Sequence, residues 1–219
     1  IFVHEGGYFP FSIDITSYLE NNNELVVIVS DPSNTSYHAF GKQSLKPKAI
    51  WYTPITGIWQ STWLESVPNN YIEKIEITPN FDEKQVHFKL DYPHKSYGLI
   101  KIYYQNDLLH QEGFFDNHFT IKLKNIFPWT PDTPNLYDFS IQLDEDNIEG
   151  YFALRKFSIG DGPYGKCLHL NNQPYFINGV LDQGYYSDGL YTPASEEAYI
   201  DDIIAMKNLG YNTLRKHIK

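Results

Sequence analysis

Apolar and polar residues alternate most regularly between residues 67 and 160. Apolar side chains occupy every second position in about seven short runs, which are separated by turn-forming residues such as Asn80–Glu83 and Asp144–Asn147. The clearest of these runs are Val86–Leu90, Ile100–Tyr104, Phe119–Leu123 and Tyr137–Leu143. Short strands at this spacing, each with one buried face, are typical of an immunoglobulin-like β-sandwich. We therefore predict such a domain over residues 67–160.

Residues 1–66 also consist of short β-like runs, at Phe11–Ile15, Glu24–Val29 and Gly57–Leu64. Leu25–Val29 is continuously apolar, which predicts a strand that is buried on both faces of a sandwich. Asn, Asp and Pro clusters lie between the runs and are typical of turns. The pattern predicts a second, partial β-sandwich over this segment.

The pattern changes after residue 160. Asn171 and Asn172 favour a hairpin turn, and a strand follows that reaches Leu181. Apolar residues then recur at helical spacing until Gly210, and a second strand begins at Tyr211. A strand, a helix and a strand in about forty residues predict a right-handed βαβ unit with parallel strands. One such unit cannot cover its own apolar faces, so we expect the chain to be part of something larger and to form homo-oligomers through exposed apolar surface.

Charge and composition restrict the classes of partner. The chain carries 17 Lys and Arg against 27 Asp and Glu, for a formal net charge of −10, which disfavours nucleic acid and anionic membranes. The single cysteine, Cys167, cannot form an internal disulfide. No apolar run approaches the roughly 20 residues that span a bilayer. The first residues show no signal peptide, and the compartment stays unassigned.

Six segments carry a resemblance to a known family. These segments are His4–Thr16, Ile50–Glu65, Trp129–Tyr137, Tyr151–Phe157, Phe176–Tyr185 and Asn208–His217. In this order they resemble glycoside hydrolase family 2, the group that includes β-galactosidases, β-glucuronidases and β-mannosidases. The resemblance covers essentially the whole chain.

The resemblance implies a mainly β chain with three parts. Residues 1–66 would be the late part of a sugar-binding jelly roll, residues 67–160 the immunoglobulin-like sandwich, and residues 161–219 a β-hairpin and βαβ start of a truncated (β/α)8 barrel. It implies a retaining exo-β-glycosidase that resembles β-galactosidases, with a β-glycoside as its carbohydrate partner. The two catalytic glutamates of the family lie on later barrel strands, so we expect no catalytic residue here and no activity of this chain alone.

Three residues are candidates for substrate binding: Asp182, Arg215 and His217. The active sites of (β/α)8 enzymes lie at the carboxyl ends of the strands, where these residues are predicted. Asp182 can accept hydrogen bonds from sugar hydroxyls, and it equally suits a turn before Gln183 and Gly184. By resemblance, Arg215 would lie under the nucleophile. His217 stands one residue closer to the arginine than in many β-galactosidases, so an exposed loop histidine is its other interpretation.

Other chemistry has little support in the sequence. Trp51, Trp59 and Trp63 can be a sugar-stacking platform or core residues, and the last two are predicted to share one face of a strand. The eight histidines lack metal-ligand spacing, and phosphate-binding loops are absent, so no metal or cofactor is expected.

Two other classes of function stay open. The chain can be a free-standing carbohydrate-binding or adhesion protein made of β-sandwiches. It can also be a structural interaction module whose exposed apolar surface is a natural interface.

Overall fold

The structure is a computed structural model that describes residues 2–218. This part of the chain is mainly β, as predicted, with twelve strands and one α-helix. It divides into two compact units, one formed by Ile1–Trp63 together with Asn178–Lys219 and the other by Leu64–Ile177. The helix, with 12 residues, is too short to cross a membrane, and no longer apolar helix occurs among residues 2–218.

The unit Leu64–Ile177 contains a β-sandwich of seven antiparallel strands. One sheet has the order β1-β2-β5 and the other has the order β4-β3-β6-β7. The strands are β1 (Lys74–Asn80), β2 (Gln85–Asp91), β3 (Gly98–Tyr104), β4 (Asp107–Phe114), β5 (His118–Lys122), β6 (Tyr137–Leu143) and β7 (Asp146–Phe152). The prediction of an immunoglobulin-like sandwich in this region is confirmed.

The sandwich core consists of the alternating residues that the sequence singles out. Side chains that face inward from both sheets are almost completely buried, whereas their neighbours along each strand are more exposed. The central members are Val86, Phe88, Leu90, Ile100, Ile102, Ile121, Tyr137, Phe139 and Ile141. Burial of one such aliphatic or aromatic side chain stabilises the fold by about 1.5–3 kcal/mol.

A small antiparallel sheet follows the sandwich in the same unit. It contains β8 (Phe157–Gly162), β9 (Gly165–Leu170) and β10 (Gln173–Pro174). Asn171 and Asn172 join the last two strands with φ angles of 52° and 66°, a left-handed conformation that Asn tolerates well. Lys156 and Asn172 both donate hydrogen bonds to the carboxylate of Asp82. The bond from Asn172 connects the hairpin turn to the sandwich.

The prediction of three strands near the beginning of the chain is wrong. Residues 2–63 contain a short 3-10 helix, Thr16–Tyr18, and an isolated bridge between Gln43 and Tyr52, but none of the three predicted strands. Leu25 and Ile28, predicted to be buried, are 78% and 91% exposed. A strand requires hydrogen bonds to a neighbour, and no described segment pairs with this one. The assignment of residues 1–66 to a jelly roll stays a prediction.

The βαβ unit is confirmed. It consists of β11 (Gly179–Asp182), α1 (Glu197–Asn208) and β12 (Thr213–Lys216), and the two strands are parallel. The helix ends before Gly210, whose φ of 88° suits a glycine after a helix. Asn178 fixes the two strand starts, because its side chain donates to the carbonyl of Gly210 while its backbone bonds to Asn212. That this unit opens a barrel stays a prediction.

Candidate functional site

Two parallel strands bring the predicted site residues to one edge. Asp182 is the last residue of β11 and stands opposite Lys216, the last residue of β12. Arg215 stands opposite Leu181, and the backbone N–H of His217 donates to the carbonyl of Asp182 over 2.9 Å. The structure thus places Asp182, Arg215 and His217 together at the carboxyl end of the strand pair.

Asp182 forms an ion pair with Lys216. The ammonium of Lys216 lies 2.7 Å from a carboxylate oxygen of Asp182, whose side chain is 24% exposed. The same ammonium lies 5.9 Å from the ring centroid of Tyr199, a residue of α1. Asp182 and Lys216 therefore lie on the side of the strand pair that faces the helix.

Arg215 lies on the opposite side of the strand pair. Side chains alternate along a strand, so Leu181 and Arg215 point away from the side that Asp182 and Lys216 occupy. Both side chains are exposed, Leu181 at 49%. Among residues 2–218, Arg215 has no ion-pair partner. The edge therefore presents an exposed guanidinium on the face that α1 does not cover.

The loop after β11 is anchored by an aromatic residue from the beginning of the chain. Tyr52 stacks on Tyr185, with ring centroids 3.7 Å apart and an interplanar angle of 10°. The hydroxyl of Tyr52 donates to the side-chain oxygen of Gln183, which directly follows Asp182. Backbone bonds to residues 42 and 44 hold Tyr52 in place. This contact fixes the residues that lead out of the candidate site.

A larger group of aromatic rings continues from this stack. Tyr191 is 2% exposed, and edge-to-face contacts join it to Tyr185 at 5.6 Å and to Trp59 at 4.8 Å. Its hydroxyl donates to that of Tyr8 over 3.4 Å. Burial raises the pKa of Tyr185 to about 12 and raises the pKa of Tyr191 further. These phenols therefore stay neutral at ordinary pH and act as packing and hydrogen-bonding groups.

The tryptophans do not form a platform. Trp59 is half-buried in this aromatic group and donates to the carbonyl of Gly7 over 2.7 Å. Trp51 and Trp63 are 44% and 77% exposed, and residues 57–64 form no strand, so Trp59 and Trp63 share no strand face. Half-buried Trp59 fits the core interpretation in part, whereas Trp51 and Trp63 are exposed and do not fit it.

Sequence reasoning missed Lys216, Gln183 and Tyr52. Lys216 was visible as a cation at the end of a strand, but its pairing with Asp182 depends on the register of two strands. Tyr52 lies 131 residues from Gln183, and no local pattern indicates their contact. Within residues 2–218, no three His, Cys, Asp or Glu side chains converge to hold a metal ion.

Comparison with known proteins finds a family match for the sandwich and relatives for the rest of the chain. Residues 70–155, which include the whole seven-strand sandwich, match the family model of glycosyl hydrolases family 2. A β-galactosidase of Leuconostoc mesenteroides is 28% identical over 96% of this chain, and a putative β-glucuronidase of Formosa agariphila is 24% identical over 97%. The chain spans 22% and 27% of the length of these two relatives.

Solved structures show the same fold. A β-glucuronidase of an uncultured Clostridium sp. superimposes with a TM-score of 0.60 at 20% identity, over 68% of this chain and 25% of the other. A β-glucuronidase of Faecalibacterium prausnitzii gives the same TM-score at 16% identity. The sandwich thus matches the family model of glycosyl hydrolases family 2, and the chain as a whole is similar to a segment of β-galactosidases and of a putative β-glucuronidase.

Proposed function

We propose that this chain is part of a retaining exo-β-glycosidase, similar to β-galactosidases, that binds its sugar at the carboxyl ends of β11 and β12. The family match over residues 70–155 is the observation that carries this proposal. The names of the relatives support it, because they are β-galactosidases and a putative β-glucuronidase. In this proposal residues 1–66 belong to a jelly roll and residues 161–219 open a (β/α)8 barrel.

Arg215 is the central residue of the proposed sugar site. It lies on the face of the strand pair opposite α1, and in a (β/α)8 barrel that face is the interior. A buried guanidinium needs an anionic partner, because an isolated charge is costly to remove from water. We assign this partner to the nucleophilic glutamate on a later strand, which the guanidinium would keep ionised.

Asp182 and His217 have supporting roles in the proposal. Asp182 lies on the face opposite Arg215, but it is the last residue of β11, so a sugar bound beyond the strand ends can still reach it. Lys216 occupies one oxygen of the Asp182 carboxylate, and the other oxygen can accept a sugar hydroxyl. The partly exposed ion pair contributes little to stability, about 0–1 kcal/mol, so its main effect is to fix the orientation of the carboxylate. His217 is held next to Asp182 by its backbone hydrogen bond, so it lies at the same edge.

The chain alone is expected to be inactive. Retaining hydrolysis uses two carboxyl groups about 5–5.5 Å apart, one of which is a general acid with a raised pKa. Glu197 lies at the start of α1, where a hydrogen bond from Ser195 lowers its pKa. Hydrogen bonds from Lys74 and Lys89 likewise lower the pKa of Glu76. These shifts suit a permanently charged carboxylate rather than a general acid.

The test uses a protein that continues this chain through the remaining barrel strands. We expect it to hydrolyse 4-nitrophenyl β-galactoside, whereas residues 1–219 alone do not. Arg215→Ala should reduce kcat/KM by about a hundredfold or more, which corresponds to ~2.7 kcal/mol of lost transition-state stabilisation. The matched control is Arg155→Ala, because Arg155 packs on Trp129 in the other compact unit. Equal losses in both variants, or activity of residues 1–219 alone, would contradict the proposal.

Self-association of the chain is also proposed. Apolar side chains of α1 lie open to solvent, with Ile200, Ile203 and Ile204 each at least 50% exposed. Contiguous apolar patches above a few hundred Å² usually mark interfaces. Sedimentation velocity of residues 1–219 should show a sedimentation coefficient that rises with protein concentration. A single monomeric species at every concentration would exclude this interface.

A further inference from the structure

Two aromatic rings stand exposed and in contact at one end of the sandwich. Tyr97 lies in the loop between β2 and β3, and Phe115 lies in the loop between β4 and β5. Their exposed fractions are 78% and 43%, and their centroids lie 4.7 Å apart at an interplanar angle of 41°. Neither residue belongs to the buried core of the sandwich. The pair therefore contributes less to folding than it would if buried, while it leaves ring faces available to a ligand.

Hydrogen bonds hold both loops in place. Ser96, next to Tyr97, donates to the carboxylate of Asp144 in the turn between β6 and β7. Asn70 donates to the other oxygen of the same carboxylate over 2.7 Å. On the other loop, the hydroxyl of Tyr92 donates to the carbonyl of Phe115. The two rings are therefore pre-organised, which lowers the entropy that binding would cost.

Polar groups lie on one side of the ring pair and in a cleft nearby. Lys95 lies 5.7 Å from the ring centroid of Phe115 and 3.9 Å from a carboxylate oxygen of Asp116. Beyond Ser96, a shallow cleft of about 260 Å³ is lined by Pro68, Asn69, Asn70, Asp144 and Glu145. Amide, carboxylate and ammonium groups at a rim can exchange hydrogen bonds with hydroxyl groups. Exposed rings with such a rim match a ligand that has apolar C–H faces and many hydroxyls.

We propose that Tyr97 and Phe115 form a stacking platform for a neutral glycan, as a carbohydrate site separate from the strand ends that carry Asp182 and Arg215. The platform belongs to the unit Leu64–Ile177, whereas β11 and β12 belong to the other compact unit. We infer a neutral ligand from the charges, because Asp116 directly follows Phe115, Asp144 bonds to Ser96 next to Tyr97, and the net charge of the chain is −10. An anionic glycan would be repelled.

The site is tested by affinity electrophoresis of residues 1–219 in native gels. The gels contain one of three neutral β-linked probes, a galactan, xyloglucan or laminarin, or else polygalacturonate as an anionic comparison. The chain should be retarded by at least one neutral probe and not by polygalacturonate. Tyr97→Ala and Phe115→Ala should each raise the dissociation constant for the glycan about tenfold, which corresponds to ~1.4 kcal/mol of binding free energy.

Two further variants separate stacking from folding. Tyr97→Phe keeps the ring, so this variant should be retarded by the probe as strongly as the unchanged chain. Loss of retardation in Tyr97→Ala, together with unchanged retardation in Tyr97→Phe, identifies the ring as the binding group. The matched control is Tyr164→Ala, since Tyr164 is 104% exposed at the turn between β8 and β9 in the same unit.

Three results would overturn the platform: no retardation by any neutral probe, equal loss in the Tyr164 variant, or stronger retardation by polygalacturonate. None of these results depends on hydrolysis, so the platform and the proposed glycosidase activity can fail independently.

Discussion

The contact between Tyr52 and the loop after β11 can be dissected by two substitutions. Tyr52→Phe removes the hydrogen bond to Gln183 and keeps the ring that stacks on Tyr185. Tyr52→Ala removes both. Since backbone bonds to residues 42 and 44 hold position 52 independently, neither change should alter the local chain path.

The structure sets the size of each effect. A typical hydrogen bond contributes about 0.5–1.5 kcal/mol net, so Tyr52→Phe should destabilise the loop by that amount. The stacked pair contributes about 0.5–1.5 kcal/mol beyond the area it buries. Removal of a fully buried ring destabilises a fold by ~3–5 kcal/mol. Tyr52 is only half-buried, so Tyr52→Ala should destabilise the loop by about 2–3 kcal/mol in total.

Hydrogen exchange followed by mass spectrometry measures how readily the backbone amides of this loop open to solvent. Peptides that cover residues 183–191 should exchange about two- to tenfold faster in Tyr52→Phe, and faster still in Tyr52→Ala. The control is Tyr37→Ala, because Tyr37 is 107% exposed. If the loop exchanges as in the unchanged chain in both Tyr52 variants, Tyr52 does not anchor the residues that follow Asp182.

Three further predictions concern two glycine substitutions in the sandwich and the pH dependence of stability. A Cβ on Gly98 would lie 2.6 Å from two ring carbons of buried Phe114, so Gly98→Ala should cost about 1–3 kcal/mol in urea unfolding. Gly113→Ala on the adjacent strand, with its nearest contact at 3.7 Å, should be close to neutral. Burial raises the pKa of Tyr185 and Tyr186 from 10.0 to about 12. These tyrosines therefore lose their protons at lower pH in the unfolded chain than in the folded chain, so the free energy of unfolding should fall as pH rises from about 10 to 12. Simultaneous titration of all tyrosines near 10.0, followed by tyrosinate absorbance, would contradict this prediction.

The sandwich could be predicted from sequence because each strand finds its partner within the chain. The alternation in Val86–Leu90 and Tyr137–Leu143 records one buried and one exposed face, and both sheets that create this burial lie between residues 74 and 152. Leu25–Val29 has a stronger apolar signal but fails as a strand. Apolarity indicates a tendency to be buried and does not specify which segment provides the hydrogen bonds.

The candidate site was predictable only in part, for a related reason. The positions of Asp182 and Arg215 near the strand ends follow from local periodicity and from Gly210, which follows α1. The face that each side chain occupies depends on strand pairing, and a shift of one residue would exchange Asp182 with Leu181. The anchoring of Gln183 by Tyr52 depends on contacts between distant segments, which no local pattern in one sequence records.

The central proposal is that this chain is part of a retaining exo-β-glycosidase. The most direct test is the configuration of the first sugar released from 4-nitrophenyl β-galactoside by the protein that continues through the barrel, observed by proton NMR before the sugar mutarotates. Two successive displacements preserve configuration, so the β-anomer should appear first. Initial release of the α-anomer, or no hydrolysis, would contradict the account.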